Sequence, residues 1–461
     1  MKYRALLFLP LLAACVGGSK GDPGMARGGA AGAAALVAGA SSAGGSSATA
    51  GASSAGSSNA AAGAAALGGS LEVGGAAAAG SPGGVSTQGG SSAQGGAPAV
   101  GGSLTVGGSA GMSGAGNAGA SSVIAAGVRW VGRVDVSQAT AIKFAWSGSG
   151  FVGSFTGSVV SAKLKTEGTG NIFFQPVVDG VPGKRFAVGS TEQTVDIASN
   201  LAAGAHRIEL YRETEGKGFG YSVFSGFTQG TPGAPSPSSG RLIEIVGDSI
   251  SAGYGNLGAE QHPGYGNDPS GGCRFSTDTE SAYQAYGAVA GRAVNAEVSV
   301  LAGSGWGIYS DNLGNQANVM PTLFTNTVGE QKMPTWSFAS RPQAVVINLG
   351  TNDASAHNMT ADKFKPAYLA FLATVRAKYP GALVLCAVGS LMSGADRNNA
   401  LLYLTEIVQE LAGKGDTKVK LLDLGTQDAL QGTGCDWHPN VAENQRLAGL
   451  LGAALKSNLG W

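Results

Sequence analysis

Acyl transfer needs a nucleophilic hydroxyl, a base within reach and neutral donors aimed where negative charge develops, and this 461-residue chain carries all three in short polar strings. Gly247-Asp248-Ser249-Ile250 supplies a serine whose own backbone N–H can join an oxyanion hole, with Gly247 permitting a tight turn and Asp248 read as holding it. Ser304-Gly305-Trp306-Gly307 has glycines that let a backbone N–H approach a substrate closely. Gly350-Thr351-Asn352-Asp353 offers the Asn352 amide as a further donor. Cys435-Asp436-Trp437-His438-Pro439 brings an imidazole near the C-terminus. A well placed base contributes about 10² to 10⁴-fold, and one oxyanion donor about 10² to 10³-fold. The histidines, His206, His262, His357 and His438, show no HxxxH or related spacing, so neither a metal nor another cofactor is expected.

Each string sits at the end of an element that could position it. From Arg241 onward, apolar runs alternate with helical patterns: LIEIV, a helix over SAYQAYGAVAGRAV, AEVSVLAG, AVVINLG, a helix from about Ala361 to Tyr379, ALVLCAVG, a helix near Arg397 to Ala412, KVKLLDLG, and a last helix after Pro439. Continuous apolar strands between amphipathic helices predict a parallel sheet covered on both faces, with the reactive site at the carboxyl ends of its strands. The rival nucleophile elbow, GxSxG, is absent from residue 126 onward and occurs only in low-complexity sequence such as Gly107 to Gly111.

Upstream, residues 123–230 read as short alternating runs (VRWVGRVDV, AIKFAW, VVSAKLKT, NIFFQPVV, HRIELYRET, YSVFSGF) separated by turn residues, which predicts an all-β sandwich of jelly-roll type. A Pro/Ser hinge over 231–240 separates it from the α/β domain of 241–461. Residues 16–122 are Gly/Ala/Ser low complexity that cannot bury enough apolar surface to offset its ordering entropy. As a coil of about 110 residues it would reach roughly 55 to 60 Å, a tether, although the near-repeats LGGSLEVGG and VGGSLTVGG could seed repetitive β structure.

Residues 1–15, MKYRALLFLPLLAAC, have a basic start, an apolar stretch too short to span a bilayer, and small residues before Cys15. That is a signal peptide, and Leu12-Ala13-Ala14-Cys15 resembles the bacterial lipobox, whose cysteine is lipidated; an ordinary cleaved signal with an incidental Cys15 is the alternative. The absence of an acidic residue directly after Cys15 resembles outer-membrane sorting in a Gram-negative cell, with secretion the outcome if lipidation does not occur. The lipid anchor is then the chain's membrane contact. A formal net charge of zero gives no electrostatic argument for nucleic acid, and a monomer is expected. In a compartment where disulfides persist, Cys273 and Cys435, both in polar loops, are expected to pair, while Cys386 lies in an apolar strand; three separate thiols are the alternative.

In this order, GDSI, SGWG, GTND and DWHP resemble the blocks of the SGNH/GDSL hydrolase superfamily, whose flavodoxin-like fold and Ser, Gly, Asn and His positions would fall on Ser249, Gly305, Asn352 and His438. With FAWSGSGFVGSFTGS, HRIELYRETEG and the block from Cys273 to Arg292, the stretch from about residue 125 to 461 is similar to carbohydrate esterase family 2, two-domain acetylxylan esterases. The resemblance implies a Ser-His acyl-enzyme mechanism on an O-acetylated plant polysaccharide such as xylan or glucomannan. It also implies Trp437 and Trp306 as sugar-stacking aromatics at the cleft mouth, against which ordinary packing is the plain alternative. One departure matters. Most superfamily members have Asp three residues before the His, where this chain has Cys435; either Asp436 orients the imidazole, or a backbone carbonyl does and leaves a dyad, as some family 2 members resemble. Other outcomes are a lipase, thioesterase or peptidoglycan O-acetylesterase using the same site, or a surface carbohydrate-binding lipoprotein with incidental esterase activity.

Overall fold

In the five-stranded parallel sheet, successive side chains alternate between two separate cores, the signature of strands buried on both faces. Val384, Cys386 and Val388 face one core, and Leu383, Leu385 and Ala387 the other. This computed structural model describes residues 124–258, 273–427 and 433–461. The signal peptide with Cys15, the tether of 16–122 and His262 lie outside the described residues.

The first ten strands are β1 Ile124–Ala125, β2 Val128–Val131, β3 Ile142–Phe144, β4 Gly150–Glu167, β5 Ile172–Val178, β6 Val181–Pro182, β7 Phe186–Val188, β8 Gln193–Ser199, β9 Ala205–Arg212 and β10 Tyr221–Pro232, and all their pairings are antiparallel. β4, 18 residues long, is the spine: Gly150 to Thr156 pair with β9, and Val159 to Leu164 with β8. Phe144 of β3 packs edge-on against Phe174 of β5 at 6.2 Å, although β10, β4 and β9 lie between those strands in hydrogen-bonding order. The sheet therefore closes over a single aromatic core as two layers, a β-sandwich. The alternating runs pick out only the second half of β4, VVSAKLKT, because its first half is interrupted by Gly and Ser. Gly150 belongs to the strand for a packing reason, since a Cβ there would lie 1.7 Å from the Leu210 carbonyl oxygen of β9.

The remaining strands are β11 Leu242–Gly247, β12 Glu297–Ala302, β13 Asn326–Val328, β14 Gln331–Thr335, β15 Ala344–Asn348, β16 Leu383–Val388 and β17 Val419–Asp423. The parallel sheet runs β12-β11-β15-β16-β17, the flavodoxin-like order, and β13 and β14 form a separate antiparallel hairpin. Helices Ala361–Lys378 and Gly394–Gly413 cover one face through Phe364, Phe371 and Leu404. Helices Tyr286–Ala293 and Val441–Leu459 cover the other through Tyr286, Leu447 and Leu451. The helix expected from Ser281 starts only at Tyr286. Ser281 is held out of it by Asn256, whose side chain bonds its N–H and its carbonyl at 3.0 and 2.9 Å, and Ala282 N–H bonds the Glu213 carbonyl. Among the described residues no helix is long and apolar enough to cross a membrane.

Between Pro232 and Leu242 the chain has no regular element, yet Arg129 Nε donates to the Ser236 carbonyl at 2.9 Å, so this stretch lies along the sandwich. Arg133, wholly buried, passes from the sandwich into the α/β core. Its guanidinium bonds the carbonyls of Phe324 and Asn326 and Oε1 of Glu244 on β11, and sits about 5 Å from the rings of Phe324 and Phe338. Removing one member of such a pair strands a buried charge. Arg133→Ala is therefore expected to lower unfolding free energy by about 3 to 5 kcal/mol in urea titrations, and Arg133→Ala with Glu244→Gln to recover part of it.

Candidate active site

β11, β12 and β15 each end in one of the polar strings, and β11 and β15 flank the point where strand order reverses, the crevice in which such sheets bind ligands. Ser249 opens a single-turn helix, Ser249–Ala252, capped by Asp248, whose carboxylate accepts from Ile250 N–H at 3.0 Å. Asp248 is fully buried, and burial pushes its carboxyl up to about 7. Its place is that of a cap, and Ser249, 7% exposed, points its hydroxyl at the imidazole.

His438 Nε2 lies 2.8 Å from Ser249 Oγ, across 189 positions of sequence. Its Nδ1 lies 2.9 Å from the backbone carbonyl oxygen of Asp436. A carbonyl only accepts, so Nδ1 carries the hydrogen and Nε2 presents its lone pair to the serine hydroxyl. That is the tautomer a general base needs. The structure thus corrects one of the two expectations for the third member: the Asp436 carboxylate does not orient the imidazole. It accepts instead from Tyr254 hydroxyl at 2.9 Å and Phe275 N–H at 3.0 Å, with Arg274 at 3.5 Å.

Backbone geometry explains the exchange. Asp436 and Trp437 have φ of +48° and +61°, consecutive left-handed residues that turn the Asp436 carbonyl under the ring. Such a conformation costs of order 1 to 3 kcal/mol per non-glycine residue and persists where neighbours over-determine it. Cys435 forms a disulfide with Cys273, Cys435 N–H bonds the Gly255 carbonyl at 2.9 Å, and Asp436 N–H bonds the Cys273 carbonyl at 3.0 Å. Tyr254 completes the support, its ring 4.2 Å from the imidazole on one side and stacked at 4.1 Å on Phe275 on the other.

Asn352 Nδ2 donates to the Trp306 carbonyl at 2.9 Å and lies 3.5 Å from Asp248 Oδ2, which ties the strings after β11, β12 and β15 together. Gly305, beside that carbonyl, has φ +80°, and a Cβ there would lie 2.6 Å from Asn312 Oδ1. Trp306 is a second correction. It is 1% exposed, edge-on to Trp146 of the sandwich at 6.1 Å, and belongs to the core, so it cannot stack on a sugar. Trp437 is 51% exposed, next to the base.

Sequence reasoning missed several supporting groups. Asp353 accepts from the N–H groups of Ile308, Tyr309 and Ser310 at 2.9, 2.7 and 3.0 Å and so pins the loop after Trp306. Glu215 and Lys217, on the sandwich, reach Ser304. The GTND string contains Asp353, a legible signal; nothing in YRETEGKG announces contact with a loop almost ninety residues away. Among the described residues no group of three or more His, Cys, Asp or Glu side chains could hold a metal ion.

Residues 130–237 match the model of the carbohydrate esterase 2 N-terminal domain, and residues 245–446 that of the GDSL-like lipase/acylhydrolase family. A solved family two carbohydrate esterase from Clostridium thermocellum, in complex with cellohexaose, is 35% identical, with a TM-score of 0.67 over 72% of this chain and 99% of that one. The chain belongs to carbohydrate esterase family 2. Within the family, cellulase/esterase CelE of Acetivibrio thermocellus is 36% identical over 339 residues, 73% of this chain, which spans only 40% of CelE's length. An acetylxylan esterase / glucomannan deacetylase of Cellvibrio japonicus is 27% identical over 344 residues, 70% of this chain and 88% of that protein.

Burial lowers the His438 pKa below the ordinary 6.5, against the opposing pull of the Asp436 carbonyl and charge. A lowered pKa keeps the imidazole neutral, and able to accept the serine proton, further into acid. The kcat/KM for p-nitrophenyl acetate, measured from about pH 4.5 to 8, is expected to fall on the acid side along one titration with an apparent pKa below 6.5; a midpoint above 6.5 contradicts this.

Proposed function

We propose that this protein hydrolyses O-acetyl esters of plant polysaccharides, acetylxylan or acetylglucomannan, through a Ser249-His438 dyad. The single observation that carries the reading is the 2.8 Å contact from Ser249 Oγ to His438 Nε2 with Nδ1 committed to the Asp436 carbonyl. Ser249 Oγ attacks the acetyl carbonyl as His438 Nε2 takes its proton. The tetrahedral oxyanion is received by the N–H groups of Ser249 and Gly305 and the Asn352 amide. His438 then gives the proton to the departing sugar oxygen, leaving an acetyl-Ser249 ester. Water, deprotonated by the same imidazole, attacks that ester and releases acetate and free Ser249.

The polysaccharide assignment draws on the printed activity of the Cellvibrio japonicus relative and on the exposed Trp437 ring beside the base, which offers a flat apolar platform to a sugar. Acetate release from acetylxylan and acetylglucomannan should fall on the order of 10⁴-fold or more in Ser249→Ala. Trp437→Ala is expected to raise KM for the polymer several-fold while leaving p-nitrophenyl acetate turnover within about twofold. A preference for long-chain p-nitrophenyl esters over acetyl esters would refute the carbohydrate reading in favour of a lipase.

We further propose that Cys15 is lipidated and holds the enzyme at the cell envelope, the Gly/Ala/Ser stretch presenting it to polymer; the support is the Leu12-Ala13-Ala14-Cys15 string. Labelled palmitate should enter the wild type and not Cys15→Ser, and membrane fractionation should then lose the variant to the soluble fraction.

A further inference from the structure

Gly305 N–H is a useful oxyanion donor only if its peptide plane is fixed. That plane also contains the Ser304 carbonyl, which in a trans peptide points the opposite way. Whatever grips the Ser304 oxygen therefore aims the Gly305 N–H. In this structure the grip comes from the β-sandwich. Lys217 Nζ donates to the Ser304 carbonyl oxygen and lies 5.8 Å from the centre of the Trp306 ring. One residue pair earlier in the same string, Glu215 Oε2 accepts from Ser304 N–H at 2.6 Å. Both peptide groups flanking the Ser304 Cα are thus bonded to a single tripeptide span, Glu215 to Lys217, of the other domain.

That span is itself over-determined. Glu215 N–H bonds Glu280 Oε2 at 3.1 Å, Arg212 Nη2 donates to the Glu215 carbonyl at 3.1 Å, and Gly218 N–H bonds Glu330 Oε2 at 3.1 Å. Arg212, wholly buried, also bonds the Thr214 and Gly220 carbonyls and so folds the strand end back on itself. Burial pushes the Glu215 carboxyl up to about 7; charged or neutral, it keeps an oxygen facing Ser304 N–H.

We propose that Lys217 and Glu215 are positioning residues for the oxyanion hole: the sandwich domain clamps the Ser304-Gly305 peptide, and the Lys217 ammonium polarises it so that Gly305 N–H is a stronger donor. Polarisation follows because drawing electron density to the carbonyl oxygen leaves the amide hydrogen on the same resonance system more positive. The role assigned to Gly305 belongs to the esterase reading above, on which this proposal rests. It gives the sandwich a part in the chemical step rather than in substrate binding.

The test uses the full chain and p-nitrophenyl acetate, an acetyl ester that carries no sugar. Lys217→Met keeps the stem and removes the charge, and is expected to lower kcat about 10 to 100-fold with KM within about twofold, part of the 10² to 10³-fold due to an oxyanion donor. Lys217→Arg should recover most of that loss. Glu215→Ala should also lower kcat, whereas Glu215→Gln, which keeps an acceptor oxygen, should stay within about threefold of wild type. Phosphorylation of Ser249 by diethyl p-nitrophenyl phosphate, which also develops an oxyanion, should slow in the same order across the variants. Lys217→Met at wild-type kcat, or a raised KM with unchanged kcat, overturns the proposal. Should Glu215→Ala fail to fold, the half-buried Lys217 series decides alone. Ser249→Ala run in parallel separates the two readings: wild-type activity there overturns the esterase reading and the clamp with it, whereas an inactive Ser249→Ala beside Lys217→Met at wild-type kcat overturns the clamp alone.

Discussion

The catalytic arrangement depends on a backbone carbonyl being where superfamily relatives commonly place a carboxylate. Asp436 and Trp437 adopt left-handed conformations, and only that turn brings the Asp436 oxygen within 2.9 Å of His438 Nδ1 while Nε2 meets Ser249. The turn is unfavourable by itself. It is held by a disulfide at Cys435, by the Gly255 and Cys273 carbonyls, and by an Asp436 carboxylate that bonds Tyr254 and Phe275 instead of the imidazole. Gly255 and Tyr254 follow directly from the helix that starts at Ser249, so nucleophile and base are built on adjoining chain segments that brace each other.

Buried charge forms the second layer of support. Arg133 crosses into the α/β core to Glu244, and Arg212 lies among the carbonyls of the strand end that carries Glu215. Desolvating guanidinium groups is costly, and burial draws the Arg212 pKa down to about 9. Apolar side chains of the same volume would give comparable stability at such sites but could not donate the three directed hydrogen bonds of Arg133 or the four of Arg212. The bonds set direction. Directed bonds fix the sandwich against the parallel sheet, and with it the Ser304 loop it touches.

Much of this was legible in the sequence, for a physical reason: parallel strands buried on both faces must be continuously apolar, so polar strings at their carboxyl ends stand out. Ser249 and Asn352 were readable that way, as was the two-domain build, while His438 stood out in a polar string just before the last helix. What was not legible follows from other causes. Half of β4 escaped because glycines such as Gly150, which serve close strand contact, interrupt the apolar alternation. Trp306 was expected at the cleft mouth from the family resemblance, with packing as the alternative, because sequence does not tell which way a side chain turns; the Trp146 ring on the sandwich decided for packing. Glu215 and Lys217 escaped because a contact between domains leaves no periodicity in either. The choice between carboxylate and carbonyl at His438 turned on two φ angles, which residue types do not encode.

A neutral partner on Nδ1 changes what the base can do. A carboxylate would form a charge-assisted bond about twice as strong as a neutral one and would favour the imidazolium at rest. The carbonyl holds the tautomer but offers less to the charged ring, so burial prevails and His438 stays neutral, ready to accept a proton. The compensation is needed only in the transition state, when the ring becomes charged. Two groups are placed to supply it without protonating the ground state: the face of Tyr254, 4.2 Å away, and the Asp436 carboxylate, whose charge still raises the imidazole pKa from beyond hydrogen-bond reach. In the proposed reaction Asp436 would thus act twice, through its carbonyl by direct contact and through its carboxylate by field and by fixing Tyr254, which reconciles an acid beside the histidine with a dyad that makes no hydrogen bond to it.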